Sequence, residues 1–182
     1  MNIKKSYKFT DDTKIKRKYL RLGFGTFQIG GNTKLGNEIV NMGEQSIANS
    51  KNAIKKAFEL GINFFDTSDI YGNGRSEKLI SKFIHKTQKK IIVCTKYGNR
   101  FHNNKYFFDN SIEYTNLSLK NSLKRLNLNC IDVFLLHSPP ENIIIDKPYK
   151  KNIKLLKENN LIKSFGISCR NIPSAIKFVK KH

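Results

Sequence analysis

Five short apolar runs, at residues 20–27, 62–65, 91–95, 131–136 and 164–168, alternate with stretches whose apolar residues recur every three or four positions. Runs that are apolar almost throughout are strands covered on both faces, and the intervening period is that of amphipathic helices. Strand and helix in strict alternation mean a parallel sheet flanked by helices, an α/β fold. The first helix is predicted over 46–60, with Ile47, Ile54, Ala57 and Phe58 on one side and Gly61 as its stop. The second covers 76–84 on Leu79, Ile80, Phe83 and Ile84, with Glu77 placed to suit the helix dipole. The third carries Leu119, Leu123 and Leu126, the fourth runs from near Pro148 to about Asn159, and Pro173 opens the fifth at 174–181. Pro139 and Pro140 forbid a helix directly after the fourth run. A polar segment, 1–19, precedes the first strand, and two long loops are expected, one Gly-rich over 28–45 and one polar-aromatic over 99–110.

Two architectures satisfy this order, a doubly wound sheet and a (β/α) barrel. A dinucleotide-type open sheet would carry G-x-G-x-x-G at the entry to its first helix. Here Gly23 and Gly25 lie within the first strand, well before that helix. Neither a phosphate-loop motif nor the G-x-S-x-G of serine hydrolases occurs. The dinucleotide-type reading is therefore the weaker of the two; as a (β/α)8 barrel of TIM type the chain would be truncated after about five βα units over residues 20–182, since closure takes eight strands and about 250 residues.

Composition narrows the partners. Lysine and arginine number 34 against 14 acidic residues, a net charge of +20, a balance that raises nucleic acid or an anionic surface as a partner. The lysines are scattered through every segment instead of forming an arm or stripe, so nucleic-acid binding is the weaker reading and a solvated basic surface the plainer one. Cys94, Cys130 and Cys169 are widely spaced, with no C-x-x-C pair, so no disulfide framework and no metal site are expected. No apolar leader core or membrane-length run occurs, which points to a reduced, cytoplasmic protein with no membrane partner.

Polar residues stand where the apolar runs end. Asp66 and Tyr71 follow the second, Lys96 the third and His137 the fourth. In a barrel every strand delivers its last residue to one face. Reducing an aldehyde or ketone needs a hydride on carbon and a proton on oxygen. A phenol can give the proton, an ammonium can stabilise the phenolate and lower its pKa, a carboxylate can keep that ammonium charged, and an imidazole can hold the carbonyl oxygen. Tyr71, Lys96, Asp66 and His137 can fill these roles in that order. Singly, each has a structural reading: Asp66 can cap a turn, Tyr71 can pack on a loop, and His137 can be a satisfied strand-end residue.

The stretches GINFFDTSDIYGNGRSEKLI, TKYG, LKRLNLNCIDVFLLHSPP and LIKSFGIS together resemble the aldo-keto reductase superfamily over approximately residues 20–178. The resemblance implies a (β/α) barrel that reduces a small carbonyl substrate with NADPH, less often NADH, held extended across the strand ends. It implies Asp66, Tyr71, Lys96 and His137 as the catalytic set, with Tyr71 the general acid. It implies Gly25, Thr26, Phe27, Asp66 and Ser168 around the nicotinamide, the last touching its carboxamide. Where the family commonly has asparagine after that serine, this chain has Cys169, which weakens the contact. Phe27, residues 100–109 and residues 139–141 are expected to line the substrate pocket. The last three strands, which in the family bring the aromatic platform and the phosphate-binding loops, are not in this sequence. The open edges this leaves favour self-association, and two other readings follow: a catalytically inactive remnant, or a non-enzymatic basic binding module.

Overall fold

The computed structural model describes residues 22–32, 46–86, 90–100 and 107–180 with their side chains, and the backbone alone of residues 6–7, 19–20, 33–35, 38–40, 101–102, 105–106 and 181. Its centre is one five-stranded parallel sheet: β1 (Phe24–Gly25), β2 (Phe64–Asp66), β3 (Ile92–Tyr97), β4 (Ile131–His137) and β5 (Ile162–Ser168). Between and after them run α1 (Ile47–Glu59), α2 (Arg75–Ile84), α3 (Ile112–Leu126), α4 (Lys147–Glu158) and α5 (Ile172–Lys181). Spatial order equals chain order, β1-β2-β3-β4-β5. A doubly wound sheet reverses direction at a switch point, whereas a barrel winds one way. This sheet never reverses, which makes it the arc of a (β/α) barrel.

The helices begin where the residues allow. Ser46, Ser111 and Asp146 are N-caps whose side chains accept from the amides of Asn49, Tyr114 and Tyr149. Gly61 and Asn127, both in left-handed backbone, stop α1 and α3. The strands turn alternate residues to opposite sides. Phe65, Val93, Tyr97, Phe134 and Leu136 join Ile54, Leu79, Ile80, Leu119, Ile153 and Leu156 of the helices in the main core. On the other side Phe64, Ile92 and Val133 form a small second cluster, and further along the same faces come Asp66, Lys96 and His137.

Three expectations are corrected. The first strand does not extend over 20–27: Tyr19–Leu20 pairs antiparallel with Ser6–Tyr7 in a separate ribbon, and only Phe24–Gly25 joins the sheet. Gly23 between them packs against the Phe64 ring, where a Cβ would sit 3.0 Å from the ring edge. The 28–45 loop contains a 3-10 turn at Gln28–Gly30 and a ribbon of Thr33–Leu35 with Glu38–Val40. The 99–110 loop contains a hairpin, Asn99–His102 against Lys105–Phe108. Most of the polar segment 1–19, residues 36–37 and 41–45 of the 28–45 loop and the side chains of residues 101–106 lie outside the described residues.

Candidate active site

The ends of β2 and β3 meet around one ammonium, and the end of β4 stands beside the phenol it holds. Lys96 Nζ donates to Asp66 Oδ1, to the Thr67 carbonyl at 2.9 Å and to the Tyr71 hydroxyl at 3.4 Å. The Lys96 side chain is 5% exposed while that of Asp66 is 39% exposed, so the carboxylate keeps solvent contact and the ammonium does not. Burial pushes the Lys96 ammonium down, and the Asp66 carboxylate beside it, with smaller help from Tyr71 and Cys94, more than offsets this, leaving it above the ordinary lysine value.

Tyr71 is held from three sides. Its ring meets Phe27 edge-on at 5.0 Å and His137 at 5.6 Å between centroids, and its amide donates to the Ser68 carbonyl. The next residue fixes the loop. Gly72 has φ 60°, and a Cβ there would fall 1.9 Å from the Gly30 carbonyl oxygen, so the loop carrying Tyr71 lies directly on the turn after β1. The expected lowering of the Tyr71 pKa does not prevail. Burial raises it, and the Lys96 charge, itself compensated by Asp66, opposes only part of that rise.

His137 is the last residue of β4 and stands opposite Ser168 of β5. Burial first, then the charges of Lys96 and Arg170, pushes its imidazole down to about 4, so the ring is neutral at neutral pH. Its Nδ1 lies 3.0 Å from the Ser68 hydroxyl. Behind Ser68, Asp69 bonds to Ser68 and, at 3.0 Å, to Ser118 of α3. Burial and the nearby Glu77 raise the Asp69 carboxyl to about 7.

The other expected contacts divide. Gly25 is exposed, and a Cβ there would meet nothing within 4 Å. Ser168 is half-buried at the sheet edge. Thr26 instead turns inward: it is fully buried, donates its hydroxyl to the Asp66 carbonyl at 2.8 Å and accepts from Ser76 at 2.7 Å. Its polar groups therefore tie β1 to β2 and α2. Residues 139–141 line a cleft of about 230 Å³ with Ile167, Cys169 and Phe178, which Tyr71 does not reach. Arg100 pairs with Asp109 at 2.7 Å and covers the Tyr114 ring. Sequence reasoning passed over Ser68 and Asp69, although both sit between the two residues it chose, Asp66 and Tyr71. The sequence suggests for Glu77 only a fit to the helix dipole, whereas Glu77 is fully buried and bonded to Arg125 and Thr95.

The sequence profile of the Aldo/keto reductase family matches residues 21–182. The chain belongs to that family. It is similar to the uncharacterized oxidoreductase YqkF of Bacillus subtilis, 35% identical over 149 residues that make up 78% of this chain and 48% of that one. Among solved structures it resembles the holo form of an aldo-keto reductase from Bacillus halodurans, with 28% identity and a TM-score of 0.76, over 97% of this chain and 54% of that one. It also resembles the glycerol dehydrogenase of Gluconobacter oxydans, 26% identical with a TM-score of 0.73, over 91% of this chain and 50% of that one. This aldo/keto reductase chain thus spans about half the length of the relatives it matches. Among its described residues no helix is long and apolar enough to cross a membrane, and no group of three or more His, Cys, Asp or Glu side chains could hold a metal.

Proposed function

We propose that this chain carries the proton-transfer machinery of a reversible, nicotinamide-dependent reduction of an aldehyde or ketone to the alcohol, with NADPH, or NADH in its place, and Tyr71 as proton donor. The observation that carries the reading is the three-way bond of the buried Lys96 ammonium to Asp66, Thr67 and Tyr71, with His137 against the same phenol ring. When bound, the dihydronicotinamide supplies the hydride to the carbonyl carbon. The exposed Gly25 with open space above it fits a flat ring lying close to the backbone. Phe27, Asp66 and Ser168 are the side chains that would border that ring, and Thr26 would serve by holding Asp66 in place. A carbonyl oxygen between Tyr71 and His137 takes its proton from the Tyr71 hydroxyl. The raised pKa keeps that phenol protonated until the transfer, and the Lys96 ammonium stabilises the phenolate left behind. The small-carbonyl substrate and a cytoplasmic location belong to the same reading.

The test is NADPH oxidation by the purified chain with a panel of aldehydes and ketones, beside Tyr71→Phe. Turnover that falls by about 10²-fold or more in the variant, the range for losing a general acid, while NADPH still binds, is the expected result. Wild-type turnover in Tyr71→Phe, or a folded wild-type chain that binds NADPH but reduces none of the panel, would overturn it.

A further inference from the structure

The Ser68 hydroxyl has one proton and three acceptors within reach: Asp69 Oδ1 at 3.1 Å, the Lys96 carbonyl at 3.3 Å and His137 Nδ1 at 3.0 Å. The Ile70 amide, at 3.4 Å, donates to the same oxygen. His137 is the group set to meet the substrate oxygen, and a neutral imidazole carries a proton on only one of its two nitrogens. Whatever Ser68 does with its hydrogen decides which one. If Ser68 donates to Nδ1, the proton sits on Nε2 and the ring offers the site a donor. If Ser68 donates elsewhere, Nδ1–H donates to Ser68 and Nε2 is left as an acceptor.

We propose that Asp69 and Ser68 are positioning residues that set the His137 tautomer, an ionised Asp69 drawing the Ser68 hydrogen and a protonated Asp69 releasing it to His137. The inference deepens the proposed carbonyl reduction and rests on His137 facing the substrate. A charge-assisted bond to a carboxylate is about twice as strong as a neutral one, so ionised Asp69 outcompetes the imidazole for the Ser68 proton. A protonated Asp69 can instead donate to the Ser68 oxygen, and the Ser68 hydrogen then turns to Nδ1. The ring stays neutral throughout, since its own titration lies near 4. Its single N–H moves between nitrogens by exchange with solvent, so the only net proton change is on the carboxyl.

Asp69 is built to stay protonated longer than a surface aspartate. From α2 the buried Glu77 carboxylate faces it. From α3 come Ser118, Arg125 and the Tyr114 phenol, and from β3 comes the Tyr97 phenol. Arg125 is engaged by Glu77 and opposes the rise less than burial and Glu77 drive it. Tyr97 and Tyr114 are both pushed up by burial and remain neutral. The carboxyl of Asp69 at about 7 therefore makes the donor form of His137 the one at mildly acidic pH and the acceptor form the one above neutrality. Donation to a carbonyl oxygen suits reduction, and acceptance from an alcohol suits the reverse step.

The experiment is 15N NMR of the histidine-labelled 182-residue chain, with His137 assigned by its loss in His137→Gln. From pH 6 to pH 8 the protonated-nitrogen signal is expected to shift from Nε2 to Nδ1, with its midpoint where the Asp69 carboxyl titrates by 13C NMR. In Asp69→Asn, nearly the same shape with no titration, the tautomer should be constant over that range. In Ser68→Ala the Asp69 titration should persist while His137 ceases to follow it. A tautomer that does not change in the wild type, or a change that survives either substitution in a variant with native circular dichroism, would overturn the inference. The readout needs no turnover. Loss of the reductase reading would appear as an active Tyr71→Phe, and failure of this one as an unresponsive His137.

Discussion

Lys96 and Asp66 make an asymmetric pair, and the asymmetry is measurable. Removing one partner of a buried pair costs roughly 3–5 kcal/mol when the other charge is left stranded. In Asp66→Asn the stranded group is the ammonium, 5% exposed, whereas in Lys96→Met it is a carboxylate already 39% exposed that rehydrates. Urea denaturation is expected to find Asp66→Asn the more destabilised, by about 3 kcal/mol against about 1 for Lys96→Met. Equal losses would mean the pair is not the buried contact described. The Lys96 pKa lies above its unfolded value, so the contribution of the pair is complete below that unfolded value and declines as pH rises through the folded one. Asp69 acts in the same direction, the reverse of the usual carboxylate. Its folded value of about 7 lies above the ordinary 3.8, so the native state binds the extra proton in that interval and loses stability as pH rises through it. Asp69→Asn removes this slope, and its stability relative to wild type should improve between pH 4 and pH 8 by on the order of a few kcal/mol. Asp66, Tyr71, Lys96 and His137 were legible because each is a polar residue just past an apolar run. The inward turn of Thr26 was not, because its partners Asp66 and Ser76 are 40 and 50 residues away.

Helices and turns carry the site as rigid supports, and two of their joints are exposed to test. At the first, Gly72 lies against Gly30 with positive φ, and any Cβ would collide with backbone. Gly72→Ala must push the Tyr71 loop off the turn after β1, at a cost of at least 1–3 kcal/mol. Its turnover should fall more than its stability, whereas Gly25→Ala, at a position with open space, should leave stability within about 0.5 kcal/mol. At the second joint, Glu77 is fully buried and accepts from Thr95 of β3 and Arg125 of α3, binding α2 to both. Arg125→Met leaves a buried carboxylate unpaired and should cost about 3–5 kcal/mol by thermal or urea unfolding. All five helices were foreseeable, three from the apolar period and two from Pro148 and Pro173, and the four with expected bounds have ends moved by a residue or two. The 99–108 hairpin was not, because each strand is only four residues long and Tyr106, Phe107 and Phe108 are consecutive in sequence, so no alternation marks a strand.

Charge acts over the entire chain. With a net charge of +20, self-repulsion opposes compaction and is screened as the Debye length shrinks to about 8 Å at 0.15 M salt. Raising salt from about 10 mM to 0.15 M should therefore raise the melting temperature, and a fall would show the lysines to be mostly paired. The same screening favours contacts between copies. β1 and β5 are edge strands of the described sheet, and Ile172 and Val179 of α5 are 75% and 77% exposed. Sedimentation is expected to become concentration-dependent at the higher salt, and a single monomeric species throughout would contradict it.

The alternation of strands and helices, and the kinds of side chain at the strand ends, were determined by the sequence alone. Period and punctuation are properties of neighbours along the chain, and a strand that ends in a polar residue must deliver it to the sheet's edge. Only the tertiary structure decided that the strands follow one another without reversal, so that an arc of barrel forms in place of a doubly wound sheet. It also decided that Lys96 reaches Tyr71 across 25 residues of chain and that Ser68 reaches His137 across 69. It decided, too, that burial outweighs the ammonium at Tyr71. Those outcomes depend on distances and desolvation between segments far apart in the chain, which no local pattern contains.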